Sequence, residues 1–140
     1  MGTVPVSWEE RLGMNERHLR MAAASVGVGV ALFSGASLVS PRRFARFFGI
    51  SAPDPSVESM IHSVGVRDVA MGLGLWSAAT HSGKYASWLL ARLIVDGGDA
   101  AGIAVAVARG WRNPRFLALG GLALGAAACD AILWTTTRRE

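Results

Sequence analysis

Apolar residues gather into four long blocks along this chain, and polar residues separate the blocks. The blocks span residues 19–40, 60–80, 85–108 and 116–137. Each is close to the roughly 20 residues that a helix needs to cross the hydrocarbon core of a bilayer. The pattern predicts an all-α integral membrane protein. A polar N-terminal segment (1–18) precedes a single four-span domain (19–140), which forms a four-helix transmembrane bundle.

Glycine and alanine are frequent inside the blocks, as at Gly72, Gly74, Gly97 and Gly98. In water, an interior glycine costs a helix about 1 kcal/mol relative to alanine. In lipid, small residues instead let helix backbones approach each other closely. The composition therefore favours transmembrane packing over the alternative, a soluble four-helix domain whose core also uses alanine, leucine and valine.

The polar stretch between the first two blocks contains a second helical signal. Phenylalanines at helical spacing are interleaved with arginines in residues 41–50; they are Phe44, Phe47 and Phe48, and Arg42, Arg43 and Arg46. Such a mixture is typical of a helix that lies in the headgroup layer. We predict a short amphipathic interfacial helix after the first span.

The first 18 residues mix acidic and basic side chains, unlike the positive start of a cleaved secretory signal. We expect the first block to remain as a membrane helix, with a cleaved signal as the alternative. Four spans place both termini on one side of the membrane and the two arginine-bearing loops on the other. Each side has six basic residues, so the positive-inside rule leaves the orientation undetermined. They are Arg11, Arg17, Arg20, Lys84, Arg138 and Arg139 on one side, and Arg42, Arg43, Arg46, Arg109, Arg112 and Arg115 on the other.

Composition and charge agree with a membrane location. Hydrophobic residues make up 51% of the chain and charged residues 17%, against about 25% charged residues in soluble domains. The net charge is +4 and the pI is about 10.6. The basic residues are spread over all the polar ends, without a nucleic-acid-binding motif. The expected partner is therefore the lipid bilayer with its anionic headgroups, and not nucleic acid.

Six charged residues lie inside the blocks, where a charge needs a partner or a function. They are Arg67, Asp68, Arg92, Asp96, Asp99 and Asp130. A rise of about 1.5 Å per residue puts Arg67 and Asp68 at the depth of Asp99, and Arg92 at the depth of Asp130. We therefore predict two polar layers. The spacing of Arg92, Asp96 and Asp99 also places these three residues on one face of the third helix.

The charges of these six residues do not balance. Arg67 and Asp68 are sequence neighbours that point about 100° apart on a helix, so we expect them not to form a good pair with each other. Two arginines against four aspartates leave an excess of negative charge, which a low dielectric penalises, and arginine keeps its proton. We predict that at least one aspartate is protonated at neutral pH unless a cation or a water-filled cavity compensates.

Two short motifs carry a family resemblance. Gly65-Val-Arg-Asp68 is followed by Gly72 and Gly74, and Arg92 is followed by Asp96-Gly-Gly-Asp99. In these residues the chain resembles the small bacterial and fungal membrane proteins grouped as domain of unknown function 4267. The likeness covers mainly the second to fourth blocks. It implies a four-span membrane protein in which the Arg and Asp positions matter, and it implies no activity. The expected location is the bacterial plasma membrane.

We expect all six charged residues to form a ligand-binding network that binds or passes a small apolar ligand, a protonatable ligand or a proton. One alternative is a membrane-embedded acid/base enzyme of the epoxide hydrolase or isomerase kind, with Asp68, Asp96 and Asp99 as candidate catalytic residues. The other alternative is a structural protein whose charge pairs fix its assembly.

No cofactor is expected for any of these functions. Cys129 is the single cysteine, so there is no paired-cysteine metal motif, and the glycines do not form a phosphate-binding loop. We therefore expect no metal, nucleotide or haem. The glycine-rich helix faces predict a homo-oligomer.

Overall fold

The computed structural model describes residues 16–50 and 54–138, and these residues are helical apart from short turns. Most of the polar segment predicted for residues 1–18 lies outside the described residues. The helices are α1 (Glu16–Val39), α2 (Pro41–Phe47), α3 (Pro55–Ser77), α4 (Ala86–Ala108) and α5 (Pro114–Thr137), and a π-helical turn (Ala78–Ser82) continues α3. The all-α prediction is confirmed. Each of the four predicted blocks corresponds to one long helix.

Local sequence signals explain where these helices begin and end. Asp54 precedes Pro55, and its carboxylate accepts hydrogen bonds from the backbone of the first turn of α3. Asn113 precedes Pro114 and caps α5 in the same way. Proline suits the first helical position because its missing N–H would have no partner there. Gly83 and Gly110 have φ angles of 69° and 97° after the π-helical turn and α4, and glycine adopts these angles without steric cost.

The long helices form two antiparallel pairs. α1 packs along α3, and α4 packs along α5, whereas contacts between the two pairs are sparse. Gly27 and Gly72 lie where α1 crosses α3: a Cβ on Gly72 would be 2.5 Å from the carbonyl oxygen of Gly27. The absence of side chains at this crossing lets the two backbones touch.

The apolar core lies at the end of the molecule that holds the N-terminus of α1 and the C-terminus of α5, called here the terminal end. It joins the two helix pairs. Its buried residues are Leu19, Ala23, Leu75, Ala78, Ala79, Tyr85, Leu89 and Leu133. The opposite end, called here the loop end, contains α2 and the turn between α4 and α5. There the rings of Phe33, Phe44 and Phe48 form a cluster that holds α2 against the end of α1. The short helix predicted within residues 41–50 is therefore present.

Two of the helices, α1 and α5, are long and apolar enough to cross a membrane. The other two long helices, α3 and α4, contain five of the six charged residues. These findings give weak support to a membrane location, and the four-span bundle stays a prediction.

Candidate functional site

The six charged residues of the helix interiors form two groups, each with one arginine between two aspartates. One group joins Asp96 and Asp130 through Arg92. The other joins Asp68 and Asp99 through Arg67. We call them the buried triad and the half-exposed triad. If every group were ionised, each triad would have a net charge of −1.

The buried triad lies between α4 and α5. Arg92 and Asp96 are one helical turn apart on α4, and Nη2 of Arg92 donates to Oδ2 of Asp96 at 2.9 Å. Asp130 approaches from α5: its Oδ1 lies 3.4 Å from Nε of Arg92 and its Oδ2 lies 3.1 Å from Nη2. The side chains of Arg92 and Asp130 are 3% and 0% exposed. Burial strengthens the attraction between the charges but removes their hydration, so each needs its hydrogen bonds.

One oxygen of this triad lacks a hydrogen bond. Oδ2 of Asp130 is buried without a hydrogen-bond partner among the described residues. Its 3.1 Å contact with Nη2 is close enough for an ion pair, but no N–H of Arg92 is aligned with it. The carboxyl groups of Asp96 and Asp130 also lie within hydrogen-bonding range of each other. Two carboxyl groups form such a bond only when one of them is protonated.

The half-exposed triad connects the two helix pairs. Arg67 on α3 donates from Nε to Oδ1 of Asp68 at 2.8 Å, and from Nη2 to Oδ2 of Asp99 on α4 at 2.7 Å. Nη1 makes a longer contact of 3.4 Å with Oδ1 of Asp99. The side chains of Arg67 and Asp99 are 36% and 38% exposed. Part of this triad is therefore accessible from outside the chain.

The two triads are electrostatically connected. Asp68 lies close enough to Asp96 for a direct repulsion between their charges. A proton taken up by either aspartate therefore lowers the cost of the negative charge on the other. This proximity makes the triads parts of one network.

The predicted depths agree with this arrangement. Arg67 and Asp68 lie at the level of Asp99, and Arg92 lies at the level of Asp130, as the residue count indicates. Asp96 and Asp99, expected on one face of α4, belong to different triads. Asp96 bonds to Arg92 along its own helix, whereas Asp99 bonds to α3.

One expectation about the network is wrong. Arg67 and Asp68 form a close ion pair although their Cβ atoms point in different directions. The guanidinium lies at the end of a long flexible side chain, so it can bend around the helix surface to a neighbouring carboxylate. Nε of Arg67 then donates to Asp68, and the terminal nitrogens of Arg67 are free to donate to Asp99.

Other polar residues of the helices are less favourable as sites. His62 is exposed, and its Nδ1 lies 3.1 Å from the carbonyl oxygen of Glu58. The thiol of Cys129 is also exposed. A shallow groove of about 450 Å³ between α1 and α3 is lined by Ala24, Ser25, Val28, Gly29 and Trp76, and none of the six charged residues lines it.

One contact at the loop end was not predicted from the sequence. Nδ2 of Asn113 donates to the carbonyl oxygen of Gly49 at 3.2 Å, which joins the two loops across 64 residues. Only the Asn-Pro and Phe-Gly pairs mark these positions as turns. Nothing in their local pattern indicates that they meet.

Comparison with known proteins gives a family and no activity. No curated protein and no solved structure matches the chain. A family model described as a domain of unknown function, DUF4267, matches residues 27–135. The matched region begins within α1, ends within α5 and contains both triads. The chain therefore belongs to the family of domain of unknown function 4267.

Proposed function

We propose that this chain is a four-span integral membrane protein whose buried triad holds one exchangeable proton and whose half-exposed triad admits a proton or a small protonatable ligand to it. The observation that carries this proposal is the buried Asp130 oxygen without a hydrogen-bond donor, beside the carboxyl group of Asp96. The homo-oligomer and the bacterial plasma membrane stay predictions.

The membrane part of the proposal is supported by what the helices leave uncovered. Only 22% of the apolar stretch of α1 and 28% of that of α5 is buried within the chain. A core helix of a soluble protein would be covered by its neighbours, and soluble monomers rarely expose large contiguous apolar patches. Here the exposed apolar side chains include Leu32 at 72% and Leu124 at 63%. Lipid is the solvent that such surfaces favour.

The same exposure extends to the two helices that contain charges. On α3, Met60 and Val66 are 69% and 59% exposed, and Ile94 on α4 is 67% exposed. Each of these helices has 23 residues, which corresponds to about 34 Å at a rise of 1.5 Å per residue. That length is enough to cross a bilayer core of about 30 Å. Their charges are paired within the chain, which lowers the cost of placing them in lipid.

The proton part of the proposal follows from charge and hydrogen bonding together. With both carboxylates ionised, the buried triad has an uncompensated negative charge in a low dielectric, which is costly. A proton held on Asp96 would neutralise that charge. It would also donate to Asp130, which remains ionised against Arg92. One proton would thus remove the charge excess and supply a donor between the two carboxyl groups.

The half-exposed triad supplies access to this proton. It lies between the helix pairs, with Asp68 near enough to influence Asp96. A cation or proton that reaches Asp68 or Asp99 would change the field at the buried triad. In this proposal, the proton enters through the half-exposed triad and is held in the buried triad.

The test is infrared difference spectroscopy of the carboxyl groups in purified protein in detergent. We expect a protonated carboxyl band near neutral pH that disappears in Asp96→Asn. The matched control is Asp99→Asn, which removes an aspartate of the other triad and should retain the band. Absence of the band in the unmodified protein, with all four carboxylates ionised from about pH 5 to 9, would contradict the proposal.

The structural alternative is favoured by one observation, which is that both arginines are already paired with aspartates of the same chain. Replacing the whole buried triad by Arg92→Met, Asp96→Asn and Asp130→Asn tests it. If the triple variant folds as well as the original chain, assembly does not explain the triad. The membrane-enzyme alternative uses the same carboxylates and stays a prediction.

A further inference from the structure

The two arginine-bearing loops at the loop end form one surface. Asn113, at the start of α5, donates to the carbonyl oxygen of Gly49, at the end of α2. Gly49 has a φ angle of 81°, and a Cβ at that position would lie 2.5 Å from Nδ2 of Asn113. Only glycine permits both this backbone angle and this close approach. The contact holds α2 against the turn between α4 and α5.

Six exposed arginines lie on these two segments. We call them the arginine face: Arg42, Arg43, Arg46, Arg109, Arg112 and Arg115. Among the described residues, only Arg42 of the six forms a salt bridge, with Glu58. Nε of Arg46 donates to the carbonyl oxygen of Arg42, and its terminal nitrogens remain available. Most of this positive charge therefore has no paired carboxylate within residues 16–50 and 54–138.

The carboxylates near the arginine face do not neutralise it. Asp54 and Glu58 are the acidic residues at the loop end, and Asp54 is occupied in capping α3. At the terminal end, Arg20 is paired with Glu16 and Arg138 lies over the ring of Trp134. In the sequence, four acidic residues accompany the six basic ones on the side of the termini and two accompany them at the loop end, so the net charges of the two sides are +2 and +4.

Exposed apolar groups accompany the arginine face. Phe47 is 71% exposed on α2, and Trp111 is 48% exposed in the neighbouring turn, where it stacks on Phe116. Val39, the last residue of α1, is 88% exposed. Apolar and aromatic side chains beside basic ones are the combination that settles at the boundary between lipid tails and headgroups.

We infer that the arginine face binds the phosphate groups of anionic phospholipids at the membrane surface. Arginine presents several N–H donors in a planar fork that suits phosphate oxygens, and six such groups create a field that attracts an anionic leaflet. The exposed aliphatic side chains nearby, Val39 and Leu32, fit a lipid surface better than a nucleic acid. This inference requires the helices to lie in a membrane, but it does not depend on the proton site. It also places the loop end at the leaflet that contains the anionic lipids.

The test is native mass spectrometry of the full chain in a neutral detergent, titrated with phosphatidylglycerol or phosphatidylcholine. We expect phosphatidylglycerol to bind about tenfold more tightly, and Arg109→Gln/Arg112→Gln/Arg115→Gln to lose about tenfold in its affinity. The matched control removes three basic residues at the terminal end, Arg17→Gln/Lys84→Gln/Arg138→Gln, and should change the affinity by about twofold or less.

A second variant leaves every charge in place. Asn113→Ser keeps a side-chain oxygen to cap α5, but it lacks the amide donor that bonds to Gly49. Separating the loops should weaken phosphatidylglycerol binding severalfold without loss of folded protein. This variant keeps the inference testable if the triple arginine variant fails to fold.

Four results would overturn the inference. They are equal binding of the two lipids, equal losses in the two triple variants, full competition by water-soluble glycerophosphoglycerol, and displacement of lipid by a single-stranded oligonucleotide. Asp96→Asn separates this inference from the proposed function. It should bind phosphatidylglycerol normally, whether or not the unmodified chain shows the protonated carboxyl band.

Discussion

Arg67 on α3 and Asp99 on α4 form the ion pair that joins the two helix pairs between their ends, with Nη2 2.7 Å from Oδ2. The apolar core joins the same pairs only at the terminal end. Since α3 packs on α1 and α4 packs on α5, this ion pair stabilises the arrangement of the pairs and not the fold of either one. Both side chains are about one-third exposed, so the chain covers most of each.

A double-mutant cycle measures this connection. We expect Arg67→Gln and Asp99→Asn to show a coupling free energy of about 1 kcal/mol, at the upper end for partly exposed pairs. The measurement is reversible denaturant unfolding in mixed micelles. The control cycle uses Arg42→Gln and Glu58→Gln at the loop end, where the arginine side chain is 69% exposed. That cycle should give a smaller coupling, and equal values in the two cycles would contradict the role assigned to Arg67.

The buried triad should be more sensitive to loss of its arginine. Arg92→Met would leave Asp96 and Asp130 without a cation, although Asp130 is fully buried. We expect a cost of about 3–5 kcal/mol, typical of a buried pair that loses one partner. Adding Asp130→Asn should recover part of this loss because it removes the uncompensated charge. If Arg92→Met lowers the free energy of unfolding no more than Arg67→Gln does, burial of the triad does not determine the cost of losing its arginine.

The sequence predicted the levels of these charges but not their partners. Depth depends on residue counting, and the ends of the helices are marked locally by Asn113-Pro114 and Asp54-Pro55. Partners depend on helix rotation and on the length of each side chain. The Cβ directions on α3 were therefore not enough to predict that Arg67 bonds to both Asp68 and Asp99.

The roles of the glycines were equally hidden in the sequence. Gly27 and Gly72 lie at a backbone crossing, whereas a Cβ on Gly97 or Gly98 would meet nothing within 4 Å. All four are helical glycines inside apolar blocks, and each has a second glycine within two residues. Only the relative positions of the helices separate those that permit packing from those that face outward.

Alanine substitutions test this division of the glycines. A Cβ on Gly72 would lie 2.8 Å from the backbone nitrogen of Ala31, in addition to its contact with Gly27. Because the obstructing atoms are backbone, α1 and α3 must separate, and Gly72→Ala should cost about 1–3 kcal/mol. The control, Gly97→Ala, should stabilise the chain by up to about 1 kcal/mol through helix propensity. The unfolding transition of each variant in the same micelles gives both values. If both substitutions lower the free energy of unfolding by similar amounts, Gly97 is also packed against another helix.

The cap of α3 predicts a pH dependence outside the membrane-spanning segments. Oδ1 of Asp54 accepts from the Ser56 hydroxyl at 2.6 Å and from the Ser56 and Val57 backbone N–H groups at 2.8 and 3.0 Å. The Ser56 hydroxyl, followed by the Val57 N–H, holds the pKa of Asp54 below its ordinary value of 3.8. The ionised carboxylate therefore stabilises the folded chain at any pH above 3.8, and this contribution is lost as the pH falls through the lower folded-state pKa.

Asp54→Ser is the variant that isolates this charge, because a serine hydroxyl still caps the helix but does not titrate in this range. We expect the original chain to unfold at a higher temperature than Asp54→Ser near pH 7, and the difference to shrink as the pH falls below 3.8. Comparing the two chains at each pH cancels the titration of the other carboxylates. A difference in unfolding temperature that stays constant with pH would mean that the charge of Asp54 does not contribute to the cap.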